Sequence, residues 1–364
     1  MTATKIHAAV CRKFGAPLSL EQLSLAAPAD GELQVRIAFC AICHSDIHYA
    51  AGAWGGRLPA VYGHEAAGVV EAVGAGAGGV SVGDHVVVTL LRACGRCHHC
   101  ARGEPQVCGV KLPLDRDSPL RDLDGNPVAQ GLRTAAFAER TVVHHSQVVV
   151  IDREVPLAAA SLLACGVITG HGAATNTAGV RPGSSTVTIG AGGVGLNCIQ
   201  GAKACGAHAN IAVDLSDAKL KAATAFGATH VVNPGTGDAK STVRSITGGG
   251  ADYVFVAVGS TQAVEQGLTL LRRGGALVLV GMPAAGATAR LEVLGIADKA
   301  QRILGSKMGA ARIHVDIPQL IDSYRAGRLK LDELISARYP LAQINDAIAE
   351  AKRGEVLRNL IFFP

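Results

Sequence analysis

The chain has little charge and few aromatic side chains. Of 364 residues, 17% are Asp, Glu, Lys or Arg and 4% are Phe, Trp or Tyr, against 49% hydrophobic residues. That balance excludes a disordered chain, which needs the reverse. No run of five or six like charges occurs, and the net charge of +5 is spread along the sequence. This argues against a nucleic-acid arm and is compatible with an anionic small ligand such as a dinucleotide. No apolar run reaches the roughly 18–20 residues that span a bilayer, and Met1–Val10 lacks the apolar core of a signal peptide. Internal repeats and low-complexity segments are absent too. The expectation is a soluble, cytoplasmic, globular protein, long enough for two domains.

Glycine, by contrast, is abundant at 45 residues, and there are ten cysteines. So much glycine favours tight turns and close backbone approaches over long helices. Ten cysteines in a reducing compartment read as thiols or metal ligands rather than disulfides.

Two textures divide the chain. Residues 5 to about 90 read as short strands broken by Gly and Pro, for example Val35–Phe39, Ala67–Val73 and His85–Val88. A cysteine-rich stretch follows at Cys94–Cys108, then a Pro-punctuated segment, Leu112–Gly131, long for a structureless loop and suited to a pocket rim or interface. Strand patterns resume through Phe137–Val150. From near Cys165 to about Leu304, β-branched runs alternate with Ala-rich helical stretches: Ser185–Ile189 before Val194–Gly206, and Asn210–Val213 before Ala218–Phe226. That alternation argues for βαβ units in a doubly wound parallel sheet. Helical patterns at Pro318–Ala326 and Leu341–Arg353 precede a last strand, Leu357–Phe363.

Gly190-Ala191-Gly192-Gly193-Val194-Gly195 fits G-x-G-x-x-G. In a glycine-rich chain the pattern alone is weak, but here it follows a strand and opens a helix, the context that gives it meaning. Gly190 makes the tight turn, Gly192 lets a pyrophosphate approach the backbone, and Gly195 lets helix and strand pack closely. Asp214, at the end of the next strand, would accept hydrogen bonds from the adenosine ribose and repel a 2′-phosphate, so NAD is expected over NADP.

Cys94-x-x-Cys97-x-x-Cys100, then Cys108, places four thiols in one short loop. A tetrahedral zinc held by four thiolates closes such a loop, and four protein ligands leave no position for substrate, so this zinc would be structural. An iron–sulfur cluster and a nucleic-acid-binding zinc knuckle are the rivals. The first lacks a Cys-Pro ending, and the second lacks dense Lys and aromatic residues. His98 and His99 read as solvated bystanders.

Three further candidates are scattered: Cys43 in Cys43-His44-Ser45-Asp46, His64 in Gly63-His64-Glu65, and Cys165 in Ala164-Cys165-Gly166. Each alone is a weak signal. Taken with the four-cysteine lobe, Thr169-Gly170, the glycine turn and Asp214-Leu215-Ser216-Asp217-Ala218-Lys219, they give the chain its likeness. It resembles the zinc-dependent medium-chain alcohol dehydrogenase family along nearly its whole length, closer to the longer, dimeric branch near the class III, formaldehyde dehydrogenase-like enzymes.

The resemblance implies an α/β protein. A Rossmann NAD-binding domain would span 167–307, and a β-rich GroES-like catalytic domain with the structural zinc lobe would comprise 1–166 and 308–364. It implies two zinc ions per chain and NAD as cofactor. Cys43, His64 and Cys165 would hold the catalytic zinc, since two cysteines and one histidine are the ligand pattern of alcohol dehydrogenases. Asp46 would orient His64, and Glu65 would lie behind the metal. Ser45 would pass the alcohol proton through the nicotinamide ribose to His48, a residue type suited to proton transfer. Thr169 and Val194 would pack near the nicotinamide, Lys219 would join Asp214 at the ribose, and His44 and Arg358 would contact the pyrophosphate. Gly193, Leu215 and Val280 belong to the same cofactor set. Ala276–Val280 would be an edge strand pairing across the two-fold axis of a homodimer.

The chemistry explains the residue types. Three protein ligands leave zinc a fourth position, where its charge acidifies an alcohol hydroxyl or polarises a carbonyl. Two departures from the family matter. His44 stands where many relatives carry Arg, which implies weaker, faster-exchanging cofactor. Glutathione-dependent formaldehyde dehydrogenases recognise peptide carboxylates with an Arg just past the lobe, whereas this chain reads Gly109-Val110-Lys111-Leu112. With Trp54, Leu90 and Leu112 suggesting an apolar pocket, the expected substrate is a primary, bulky or aromatic alcohol or its aldehyde. The alternatives are an S-hydroxymethyl-glutathione-type formaldehyde dehydrogenase, a zinc-free quinone or enoyl reductase, and a non-catalytic zinc-stabilised NAD-binding protein.

Overall fold

The computed structural model describes residues 3–364. It resolves into two compact units, Met1–Cys165 with Arg312–Pro364, and Gly166–Ala311.

The first unit is built on two β-assemblies. Thr4–Cys11, Ser19–Leu25, Leu120–Arg121, Pro127–Gln130 and Ala60–Val61 close a small barrel, and a seven-stranded sheet is centred on Glu32–Ala41. Strands Glu65–Val73, Arg140–His144 and Arg358–Phe362 all pair antiparallel with Glu32–Ala41. That strand is buried along most of its length because it has neighbours on both edges. The core beneath is aliphatic, with Leu23, Leu25, Leu33, Ile37 and Phe137 sealed from solvent.

The segment Leu112–Gly131, long for a structureless loop, has secondary structure of its own. It forms a short helix, Pro113–Arg116, and a hairpin, Leu120–Arg121 with Pro127–Gln130, whose strands complete the barrel wall. Pro318 likewise lies inside a helix, Ile313–Arg325, that starts earlier than the proline suggested.

The second unit holds one six-stranded sheet, every pair of neighbours parallel. In space the strands run His230–Val232, Ala209–Val213, Ser185–Ile189, Ala251–Val256, Leu271–Leu279, Arg302–Gly305. Numbered along the chain this is 3-2-1-4-5-6, the dinucleotide-binding Rossmann order. Val187, Ile211, Val254 and Leu277 are wholly buried, as strands covered on both faces require. Here the structure corrects one expectation. Ala276–Val280 is not an edge, because Arg302–Gly305 pairs with Ala276–Leu279 and takes the edge itself. Among the described residues no single helix is long and apolar enough to cross a membrane.

Candidate functional site

The scattered Cys43, His64 and Cys165 come together through strand register. Ala41 pairs with Glu65, so Cys43, two residues past the end of one strand, and His64, just before the start of the other, emerge at the same end of the sheet. Cys43 then caps the helix His44–Ala50. Cys165 follows the turn Leu162–Ala164. All three side chains are buried, their ligand atoms lie within 4.8 Å of one another, and His64 Nε2 is 3.2 Å from Cys165 Sγ.

Asp46 organises this corner. Its Oδ1 accepts from His64 Nδ1 at 2.9 Å and from the Gly63 N–H at 2.9 Å, and its Oδ2 accepts from the Cys43 N–H at 3.1 Å. Binding Nδ1–H leaves Nε2 as the free lone pair, the tautomer a metal needs. Burial, the largest single influence, would lower the His64 pKa, but the charge and hydrogen bond of Asp46 together with Cys43 raise it well above the usual value. A hydrogen bond from Cys165 holds the Cys43 thiol well below its ordinary range. Gly63 is required at its position: its φ is +90°, and a Cβ there would sit 2.5 Å from the Phe137 nitrogen.

Glu65 and Arg358 also meet here, from the two strands that flank Glu32–Ala41 in the same sheet. Arg358 Nε lies 3.4 Å from Glu65 Oε2, and both side chains are buried. Arg358 Nη2 is buried without a hydrogen-bond partner, a donor suited to an anion. Ser45 Oγ lies 3.8 Å from Cys43 Sγ. His48 is half-buried and packs on Trp54, ring centroids 5.0 Å apart, while Tyr49 meets Trp54 edge-on. His44 is exposed.

The four lobe thiols converge as well, with Cys97 Sγ 3.6 Å from Cys100 Sγ and 3.8 Å from Cys108 Sγ. Zinc–sulfur bonds of about 2.3 Å in a tetrahedron set sulfurs about 3.8 Å apart, so this donor set fits that ion. His98 and His99 are exposed to solvent. The lobe has a neck that sequence reasoning missed. Buried Arg92, just before the first cysteine, binds Asp115 just after the last at 3.1 Å, and also Gln147 and Gln130. Burial pulls the guanidinium pKa down to about 10. An Arg and an Asp flanking a cysteine loop were the available signal.

In the second unit the glycine turn joins Ser185–Ile189 to the helix Gly193–Ala204, with Gly192 as its cap. The three glycines differ physically. Gly190 has φ +95°, and a Cβ on it would strike Val258. A Cβ on Gly195 would collide with the Gly190 carbonyl. A Cβ on Gly192 would meet nothing within 4 Å, so the space beside it is open at a helix N-terminus. Ile189 pairs with Val213, which brings Asp214 level with the turn, where its Oδ2 accepts from the Ala191 N–H at 2.8 Å. Leu215 is exposed, Lys219 on the helix Asp217–Ala225 is half-buried, and so is Val194 at the start of the first helix. Thr169 donates to Met308 Sδ at 3.6 Å. Val280 is buried, its N–H bonded to Val256.

Comparison with known proteins places this geometry. Residues 29–153 match the family model of the alcohol dehydrogenase GroES-like domain, and 193–325 match that of the zinc-binding dehydrogenases. The chain is 33% identical to alcohol dehydrogenase 1 of Pisum sativum, over 98% of this chain and 97% of that protein. It is 35% identical to the S-(hydroxymethyl)glutathione dehydrogenase of Saccharomyces cerevisiae, over 98% and 96%. Its fold superimposes on benzyl alcohol dehydrogenase of Acinetobacter calcoaceticus with a TM-score of 0.93 at 33% identity, covering 99% of this chain and all of that one. Such agreement from end to end leaves one conclusion: the chain belongs to the zinc-dependent medium-chain alcohol dehydrogenase family.

Proposed function

We propose that the protein is an NAD-dependent alcohol dehydrogenase that interconverts a primary alcohol and its aldehyde. The observation that carries this is the buried convergence of Cys43, His64 and Cys165 with Asp46 locking the imidazole tautomer. Three donors of two thiolates and one imidazole suit zinc and leave a fourth position. When bound there, zinc supplies the Lewis acidity that makes an alcohol ionisable near neutral pH, and NAD takes the hydride.

The chain's own residues do the rest. Ser45 accepts the alcohol proton, and His48, accessible at the rim, releases it to solvent. Glu65 and Arg358 set the charge behind the metal, and the free Arg358 Nη2 meets the cofactor's pyrophosphate. Gly190, Gly192, Gly193 and Gly195 bring that pyrophosphate to the helix N-terminus, while Asp214, Leu215 and Lys219 face the adenosine end and Thr169, Val194 and Val280 the nicotinamide. Cys94, Cys97, Cys100 and Cys108 hold a second, structural zinc. The first unit is thus the catalytic domain and the second the NAD-binding domain.

Packing of Trp54 on His48 gives this rim an aromatic surface, and this favours bulky or benzylic alcohols over a charged thiol adduct. The likeness to benzyl alcohol dehydrogenase of Acinetobacter calcoaceticus supports that preference. Ten cysteines with no disulfide among them suit a reducing cytoplasm. The exposed edge Arg302–Gly305, following the exposed Val293 and Leu294, would pair with a second copy in a homodimer.

The test is NAD reduction across aliphatic, benzylic and terpenoid alcohols and the glutathione–formaldehyde adduct, with zinc counted per chain. Two zincs and benzylic turnover are expected, and Cys43→Ala should retain one zinc and no activity. A Cys43→Ala protein that still turns over would refute the site.

A further inference from the structure

Residues 214–217 are anchored from two directions. On one side, Asp214 accepts from Ala191 in the glycine turn at 2.8 Å and from the Ser216 N–H at 2.9 Å. On the other stands Asn233, the residue after strand His230–Val232, which is paired so that Val232 lies level with Val213. Asn233 Nδ2 donates to the Leu215 carbonyl at 3.2 Å and to Asp217 Oδ1 at 2.7 Å. Its Oδ1 accepts from the Gly235 N–H at 2.9 Å. The amide therefore meets two acceptors with donors and one donor with an acceptor, a set that neither Asp nor Ala supplies. Leu215, between the two anchors, is 75% exposed, so burial does little to hold this loop.

We propose that Asn233 is a positioning residue of the cofactor site: it fixes residues 214–217 so that the Asp214 carboxylate and the start of the helix Asp217–Ala225 stand ready for the adenosine ribose. It acts without touching the dinucleotide, and it rests on the reading of Asp214 as the ribose acceptor. Loss of both donated bonds leaves the loop to be ordered on binding, which costs about tenfold in affinity.

The test uses the full-length, zinc-loaded enzyme titrated with NADH. Asn233→Ala should raise the NADH Kd and the NAD KM about tenfold, with kcat changed less than twofold and the melting temperature within a few degrees. Asn233→Asp sets a second carboxylate against Asp217 and should bind more weakly still. Adding Asp217→Asn to Asn233→Asp rebuilds one bond with its polarity reversed, so part of the lost affinity should return. The proposal is overturned by an unchanged Kd in Asn233→Ala, by kcat and KM changing only in step with a lost melting temperature, or by no recovery in the double variant. If Asp214→Ala leaves NADH binding unchanged, the ribose reading fails, and the role of Asn233 fails with it.

Discussion

Arg358 reaches back across the sheet to Glu65, Nε to Oε2 at 3.4 Å, both side chains shut away from solvent. The pair joins a strand near the chain's end to one beginning beside His64. Removing one member leaves an uncompensated buried charge, worth about 3–5 kcal/mol, whereas replacing both with apolar residues of similar volume is far milder. Glu65→Ala should therefore lower the melting temperature by roughly 10 °C, and Glu65→Leu with Arg358→Met by much less. A double variant as unstable as Glu65→Ala would mean the pair is not coupled.

Asp46 serves His64 and two backbone N–H groups at once. In Asp46→Asn one oxygen is replaced by an amide nitrogen, which faces a donor. Zinc at Cys43, His64 and Cys165 should then bind roughly 10–100-fold more weakly, while the lobe zinc is unaffected. Chelator competition with zinc counted per chain resolves the two ions. Equal loss of both zincs would show general unfolding instead.

The glycine turn offers a paired test. A Cβ at Gly195 collides with the Gly190 carbonyl, whereas at Gly192 it enters open space. Gly195→Ala should destabilise the protein by several degrees. Gly192→Ala should leave the melting temperature unchanged yet weaken NADH by about tenfold or more, because only a bound pyrophosphate occupies that space. Wild-type affinity in Gly192→Ala would place the phosphates elsewhere.

His44 is exposed, and an imidazole lacks the permanent charge of a guanidinium. His44→Arg adds a charge-assisted partner for the pyrophosphate, so NADH should dissociate several-fold more slowly in stopped-flow measurements. An unchanged or faster off-rate would remove His44 from the cofactor site.

The second unit was legible in the sequence because its strands are apolar runs separated by helices, and because the glycine turn sits at a strand-to-helix junction. Other elements carried too little local signal. Strands Leu120–Arg121 and Ala60–Val61 have two residues each, too short for any period, and they form only because the barrel closes around them. The edge strand Arg302–Gly305 is four residues headed by a charge, too little for a pattern, and it was the family resemblance that implied Ala276–Val280 as the edge. The trio Cys43, His64 and Cys165 was reachable only through family likeness, since Cys43 and His64 become neighbours by the pairing of Ala41 with Glu65. Arg92 with Asp115, and Asn233 with Asp217, act through contacts whose geometry no residue pattern encodes.

The two metal centres differ in how much chain each must wait for. Cys94 to Cys108 form one local loop, so their ion can be taken up as soon as that stretch has been synthesised. Cys43 has no complete partner set until Cys165 exists, and the strand carrying Arg358 pairs beside Ala41 only when the last residues arrive. The lobe ion is therefore an early passenger of biosynthesis and the reactive one a late arrival. A chain starved of zinc late in synthesis would emerge folded around its lobe but chemically silent.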